Sequence, residues 1–163
     1  MTNILSGESL LNNMPKKAKS LTYYEAIGRR KSAVARVRLH LAVKGIDAKV
    51  SDVKMAKGDI IVNKLPVTEY FTDQVGKLLY EGPLKLTDSL GRFIITVMVQ
   101  GGGKRGQLDA MVLGISRALL KVDGDNRKKL KPHGLLTRDA RVRERRKVGM
   151  GGRARRKKQS PKR

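Results

Sequence analysis

Residues 127 to 163 hold 17 Lys plus Arg against two acids, Asp139 and Glu144, a balance of +15 at the end of the chain. A segment of that composition cannot form a core of its own, because self-repulsion and lost conformational entropy exceed what its few apolar side chains return. From Arg138 onward those are only Ala140, Val142, Val148, Met150 and Ala154. The segment is therefore expected to be disordered in isolation, with at most a frayed helix over Arg138 to Lys147, and deleting Arg138 to Arg163 should leave the rest folded. Residues 1 to 126 carry 20 basic side chains against 12 acidic ones, or +8, which completes the net +23. The chain thus divides into a flexible N-terminal extension (1–20), a mildly basic globular body (21–126) and a basic extended C-terminal tail (127–163).

A surface so one-signed calls for a polyanion, and nucleic acids come before anionic membrane leaflets. An acidic small molecule needs a few such charges, not 23. The chain has no Cys, which excludes a disulfide framework, a thiol nucleophile and thiolate metal ligation. Trp is absent and aromatic residues make up 4%, so a stacking platform for single-stranded bases is thinly supplied. No apolar run approaches the roughly 20 residues of a membrane span, and no secretory signal is visible. The expectation is a soluble, cytoplasmic, single-domain protein with tails, not attached to a membrane and not a homo-oligomer.

Periodicity is readable between the tails. Ala33, Ala35, Val37, Leu39 and Leu41 alternate with Ser32, Val34, Arg36, Arg38 and His40, which predicts a half-buried strand with a basic open face. Lys44 to Lys57 reads as a long connection with room for a hairpin. Asp59 to Val62 is a short strand continued through a turn by Asn63 to Val67. Gln74 to Tyr80 predicts a helix with an apolar set of Val75, Leu78 and Leu79, stopped by Gly82-Pro83. Arg92 to Val99 suits a central strand. Gln107 to Val122 has a helical stripe of Leu108, Met111, Val112, Ile115, Leu119 and Val122, with Asp109 in the first turn and Arg117 and Lys121 toward the end.

Gly101-Gly102-Gly103-Lys104-Arg105-Gly106 fits G-x-G-x-x-G after a strand and before a helix. A dinucleotide site would need a second parallel strand after that helix, where the chain has Asp-Asn-Arg-Lys-Lys. The Walker pattern fails at Gln107 and Leu108. What the motifs share survives: a glycine turn entering a helix exposes backbone N–H groups and a positive dipole end that can cradle a phosphate. His40 and His133 lie far apart and have no Cys partners, so no metal site is expected. Asp123-Gly124-Asp125-Asn126 begins like a calcium loop but is a turn, since Arg127 and Lys128 follow and no Glu closes it. No acid pair or nucleophile pattern suggests a catalytic residue, and no cofactor is expected. Arg29-Arg30-Lys31 leads into the strand of Arg36 and Arg38 and extends its basic surface.

Gly28-Arg29-Arg30-Lys31-Ser32-Ala33-Val34-Ala35-Arg36-Val37 resembles the opening signature of the small-subunit ribosomal protein nine family. Gly101-Gly102-Gly103, Gly106-Gln107, Ala110, Gly114 and Ser116-Arg117-Ala118-Leu119 resemble its central signature at the same spacing. Leu130-Lys131, Gly134-Leu135-Leu136-Thr137-Arg138-Asp139, Arg141, Glu144-Arg145 and Lys162-Arg163 extend the likeness, which covers about Tyr23 to Arg163. The chain departs from the family before Leu21, at Lys44 to Lys57, and at the ending Gln159 to Arg163.

The resemblance implies an α+β fold: a two-layer α/β sandwich like the second domain of small-subunit ribosomal protein five, with a left-handed βαβ crossover and a long basic tail. Pattern reasoning alone would give a right-handed crossover. It also implies a non-enzymatic constituent of the small ribosomal subunit. Its partners would be small-subunit ribosomal RNA, neighbouring proteins of the subunit head and transfer RNA in the peptidyl site. Matched to phosphates, Arg29, Arg30, Lys31, Arg36, Arg38, Gly101, Gly102, Gly103, Lys104, Arg105, Gln107 and Arg117 would dock the body. Lys131, Arg138, Arg141, Arg145, Arg146, Lys147, Arg153, Arg155, Arg156, Lys157 and Lys158 would anchor the tail. Lys162 and Arg163 would touch transfer RNA. Val148 to Arg163, extended at roughly 3.3 to 3.6 Å per residue, spans on the order of 50 Å. A DNA-compacting protein and a nucleotide-dependent enzyme are the rival readings.

Overall fold

The computed structural model describes residues 22–41, 48–50, 53–145 and 148. β1 (Tyr23–Arg30) and β2 (Ala33–Leu41) form an antiparallel hairpin whose turn places Lys31 at φ 51°. β3 (Ala48–Val50) and β4 (Val53–Met55) pair as a separate hairpin, inside the connection where one was allowed for. β5 (Ile60–Val62), β6 (Leu65–Pro66), α1 (Val67–Tyr70), α2 (Gln74–Leu86), β7 (Phe93–Gln100), α3 (Lys104–Val122) and α4 (Asn126–Leu130) follow. The five-stranded sheet has the order β1-β2-β7-β5-β6. It is mixed: β7 runs antiparallel to β2 and parallel to β5, so β5, the two helices after it and β7 make a βαβ unit.

One face of the sheet carries the core. Ala33, Ala35, Val37 and Leu39 of β2 and Phe93, Ile95, Val97 and Val99 of β7 point to the same side and pack with Leu108, Met111, Ile115 and Leu119 of α3. The alternation expected for β2 is therefore observed, as is the central place of β7. Small residues bring α3 close to the sheet: a Cβ on Gly28 would lie 1.8 Å from the Ala110 carbonyl oxygen, and one on Gly114 would lie 2.6 Å from Val37 Cγ2.

Five expectations need correction. β1 was not anticipated, because its inward residues include Ala26 and Gly28, selected for closeness to α3 and not for strand propensity. α2 does not stop at Gly82-Pro83 but runs to Leu86. Pro normally excludes helix at the residue before it by clashing with that residue's Cβ, and Gly82 has none. The buried face of α2 is Gly76, Tyr80, Pro83 and Leu84, while Val75 and Leu78 are 54% and 65% exposed. α3 begins three residues early, at Lys104, so Asp109 lies beyond its first turn. Finally, the open face of the sheet closes at His40, which is 4% exposed.

The packing also continues past residue 126. Leu130 of α4 is fully buried, and Leu135 and Leu136 pack against the core. Residues 138 to 145 carry no helix; Arg146 and Lys147, where the frayed helix was expected to end, lie outside the described residues.

Candidate nucleic-acid interface

Two turns meet at one end of the molecule. The chain leaves β7 through Gly101 and Gly102, with φ of 69° and 63°, a region side chains resist. It presses against the β1–β2 turn: a Cβ on Gly101 would sit 2.5 Å from the Ser32 carbonyl oxygen, and one on Gly102 would sit 3.0 Å from Ala33 Cβ. Gly103 then caps α3 without a side chain, leaving the first N–H groups of a 19-residue helix at the surface. Gln107 holds this turn in place. It donates from Nε2 to the Gly101 carbonyl at 3.1 Å and accepts from the Tyr70 hydroxyl at 2.8 Å.

Basic side chains gather around this point. Arg29 and Lys31 are exposed on the hairpin, and Lys104 and Arg105 are exposed on the first turn of α3. Lys104 donates to the Tyr70 carbonyl at 3.0 Å and lies 5.0 Å from the centre of that ring, so its ammonium is held at the mouth of the turn. Arg105 is 3.7 Å from Asp109.

Arg30 is different. Its side chain is 13% exposed, and it reaches inward to the chain after α4. Nη2 lies 2.9 Å from Asp139 Oδ2, Nη1 donates to the Arg141 carbonyl at 2.8 Å, and Nε lies 3.6 Å from Asp109. Arg141 grips the same carboxylate at 2.6 Å, and its amide donates to Asp139 Oδ1 at 2.9 Å. These bonds from Arg141, joined by the charge of Arg30, hold the Asp139 carboxyl well below the usual carboxylate range.

Other expected contacts lie elsewhere. Arg36, Arg38 and Arg117 are not part of this end. Arg36 crosses the open face of the sheet, its Nη2 2.8 Å from Met98 Sδ. Arg38 is paired with Glu25 at 2.6 Å and lies over the Tyr23 ring. Arg117 donates to the Ile27 carbonyl at 3.1 Å and pins α3 to β1. Lys131, Arg138 and Arg145 are exposed along the segment after α4, Arg138 just before the Arg30 contact at Asp139 and Arg141 and Arg145 just beyond it. Arg146, Lys147, Arg153, Arg155, Arg156, Lys157, Lys158, Lys162 and Arg163 lie outside the described residues.

Sequence reasoning missed Tyr70, Asp109 and Asp139. Nothing in the local pattern marks Tyr70, which reaches Gln107 across 37 positions. Asp139 did carry a signal: it is one of two acids among 17 basic residues. Among the described residues no group of His, Asp or Glu is arranged to hold a metal ion, and no helix is long and apolar enough to cross a membrane.

Comparison with known proteins identifies the family. A family model described as ribosomal protein S9/S16 matches residues 28–163. The small ribosomal subunit protein uS9 of Thermus thermophilus is 46% identical over 126 residues, covering 77% of this chain and 88% of that one. The uS9 of Desulfotalea psychrophila is 44% identical over 129 residues, covering 79% and 88%. The uS9 of Maridesulfovibrio salexigens is 46% identical over 127 residues, covering 78% and 87%. The matched span begins at Gly28, where α3 meets β1, and takes in both converging turns and the whole basic segment; the chain belongs to the ribosomal protein S9/S16 family.

Proposed function

We propose that this protein is a structural, non-enzymatic constituent of the small ribosomal subunit that binds ribosomal RNA of the subunit head through the end where its two turns converge. The observation that carries this reading is the convergence itself. Arg29, Lys31, Lys104 and Arg105 surround a glycine turn with unbonded helix N–H groups, and Arg138 and Arg145 follow on the adjoining segment. Structured RNA offers phosphates and ribose hydroxyls in place of readable major-groove edges, and rigid guanidinium forks and backbone N–H groups suit those oxygens. Arg30, Arg38 and Arg117 spend their bonds on protein groups, holding together the strands and helix that present this surface. Membership of a ribosomal protein family places the chain in the ribosome, in the cytoplasm.

The finer parts of the proposal concern the tail and the crossover. Arg153 to Lys158 anchor the tail on ribosomal RNA while Lys162 and Arg163 contact the phosphates of transfer RNA in the peptidyl site. The βαβ unit from β5 to β7 takes the left-handed crossover and two-layer arrangement of the second domain of small-subunit ribosomal protein five. The body extends to about residue 141, because Leu130 and Asp139 are tied into it.

Sedimentation of the tagged chain with small subunits in high salt tests the reading. Retention on subunits is the expected result. Equal binding to arbitrary duplex DNA would favour the compacting protein, and saturable binding of a nucleotide would favour the enzyme. Deleting only Lys162 and Arg163 should leave incorporation intact and weaken transfer RNA by roughly 1 to 3 kcal/mol, the scale of charge-assisted hydrogen bonds.

A further inference from the structure

The geometry points to Arg30 and Asp139 as a clasp that sets the direction in which the basic C-terminal segment leaves the body, with Arg30 spent inside the protein and not on an RNA phosphate. The inference rests on the RNA-binding reading above and assigns two positioning residues to it.

All three nitrogens of one guanidinium face this junction. Nη2 meets Asp139 Oδ2 at 2.9 Å, Nη1 reaches the Arg141 carbonyl at 2.8 Å and the Asp139 carbonyl at 3.4 Å, and Nε faces Asp109 of α3 at 3.6 Å. One side chain on β1 therefore joins Asp109 of α3 to the carbonyls of Asp139 and Arg141 in the chain after α4. Its exposure of 13% leaves little of it for a ligand. Asp139 in turn holds the Arg141 side chain and amide, so the backbone is fixed on both sides of Ala140.

The composition argues the same way. An acid within a segment that meets polyanions opposes binding. After residue 126 there are only two, and Asp139 is turned to the largely covered Arg30 of the body. A flexible segment loses apparent affinity in proportion to the fraction of time it points correctly, so fixing its root raises affinity without adding a contact.

Because the chain has no cysteine, two introduced ones take spin labels uniquely. Leu90→Cys and Arg143→Cys, both at exposed positions, place labels on the body and just beyond the clasp. In the full-length labelled chain, pulsed electron resonance should give one narrow distance distribution. Asp139→Asn should broaden and shift it, and Asp139→Glu should restore it. Asp139→Asn also raises the net charge by one from +23, so simple electrostatics predicts tighter binding to a head ribosomal RNA fragment. The clasp predicts the opposite sign, an affinity about fivefold or more weaker, because fewer chains point correctly. Arg30→Lys, which keeps the charge but loses the fork, should broaden the distances in the same way while the body still melts cooperatively. An unchanged distribution in these variants, or RNA binding by Asp139→Asn that is equal or tighter, overturns the clasp. If the unsubstituted chain fails to bind that RNA, the RNA reading falls, while the distance arm still decides the clasp.

Discussion

Gly28 sits on β1 where α3 crosses it, and there is no room for one more carbon: its Cβ would lie 1.8 Å from the Ala110 carbonyl oxygen and 2.6 Å from the Gly114 amide nitrogen. Both are backbone atoms, so no rotamer change relieves the clash. Gly28→Ala should cost at least about 2 kcal/mol, the scale of overpacking, in a denaturant titration. Gly82 looks like the opposite case, since nothing lies within 4 Å of its missing Cβ. Yet Gly82→Ala should not stabilise, because the new Cβ would meet the Pro83 ring in helical geometry. His40 gives a pH prediction. Burial first, then the charge of Arg38, push its imidazole below the usual value near 6.5, and its Nδ1 has no partner among the described residues. The unfolded chain therefore takes up the proton more readily. Stability is at its full value above about pH 6.5 and declines as pH falls through the lowered value. Melting curves from pH 7.5 to 5 should show the decline, and His40→Gln should flatten it. At this scale the sequence revealed the cations but not their partners, since Asp139 lies 109 positions from Arg30 and no local pattern joins them.

At the scale of elements, the long amphipathic pieces were legible. β2 alternates cleanly, and α3 carries its apolar stripe over more than four turns, with only Val112 and Val122 left partly exposed. What escaped was β1, whose inward residues include Ala26 and Gly28, and, in the helix expected from Gln74, its last turns and its buried face of Gly76, Tyr80, Pro83 and Leu84. α2 is closed by Thr87, whose hydroxyl donates to the Pro83 carbonyl at 3.0 Å, a cap that lies past the expected stop. The segment after α3 also has two characters. Leu130 is fully buried and Asp139 is clasped, while the charge continues beyond. Truncation should expose the difference. Deleting 146–163 should leave the melting temperature within about a degree, since no described core contact is lost. Deleting 138–163 removes the partner of a nearly buried Arg30 and should lower it by about 3 to 6 °C. Leu130→Ala should cost about 2 to 5 kcal/mol.

For the whole molecule, one end of an α+β body gathers two turns and the root of a basic segment, and its described cations divide between Arg30, which holds that end together, and Arg29, Lys31, Lys104 and Arg105, which are exposed on it. The polyanion partner was legible from charge alone, and the family from three ordered signatures. The inward role of Arg30 and Arg117 was not, because a cation reads the same in sequence whether it meets a phosphate or a carbonyl. The central claim is that many outward cations meet many phosphates at once, each releasing a counterion. It is tested most directly by the affinity of the full chain for a head fragment of small-subunit ribosomal RNA, measured from 50 to 200 mM salt. With six or more phosphates neutralised, affinity should fall by about a thousandfold or more across that range. A nearly flat response would contradict the account.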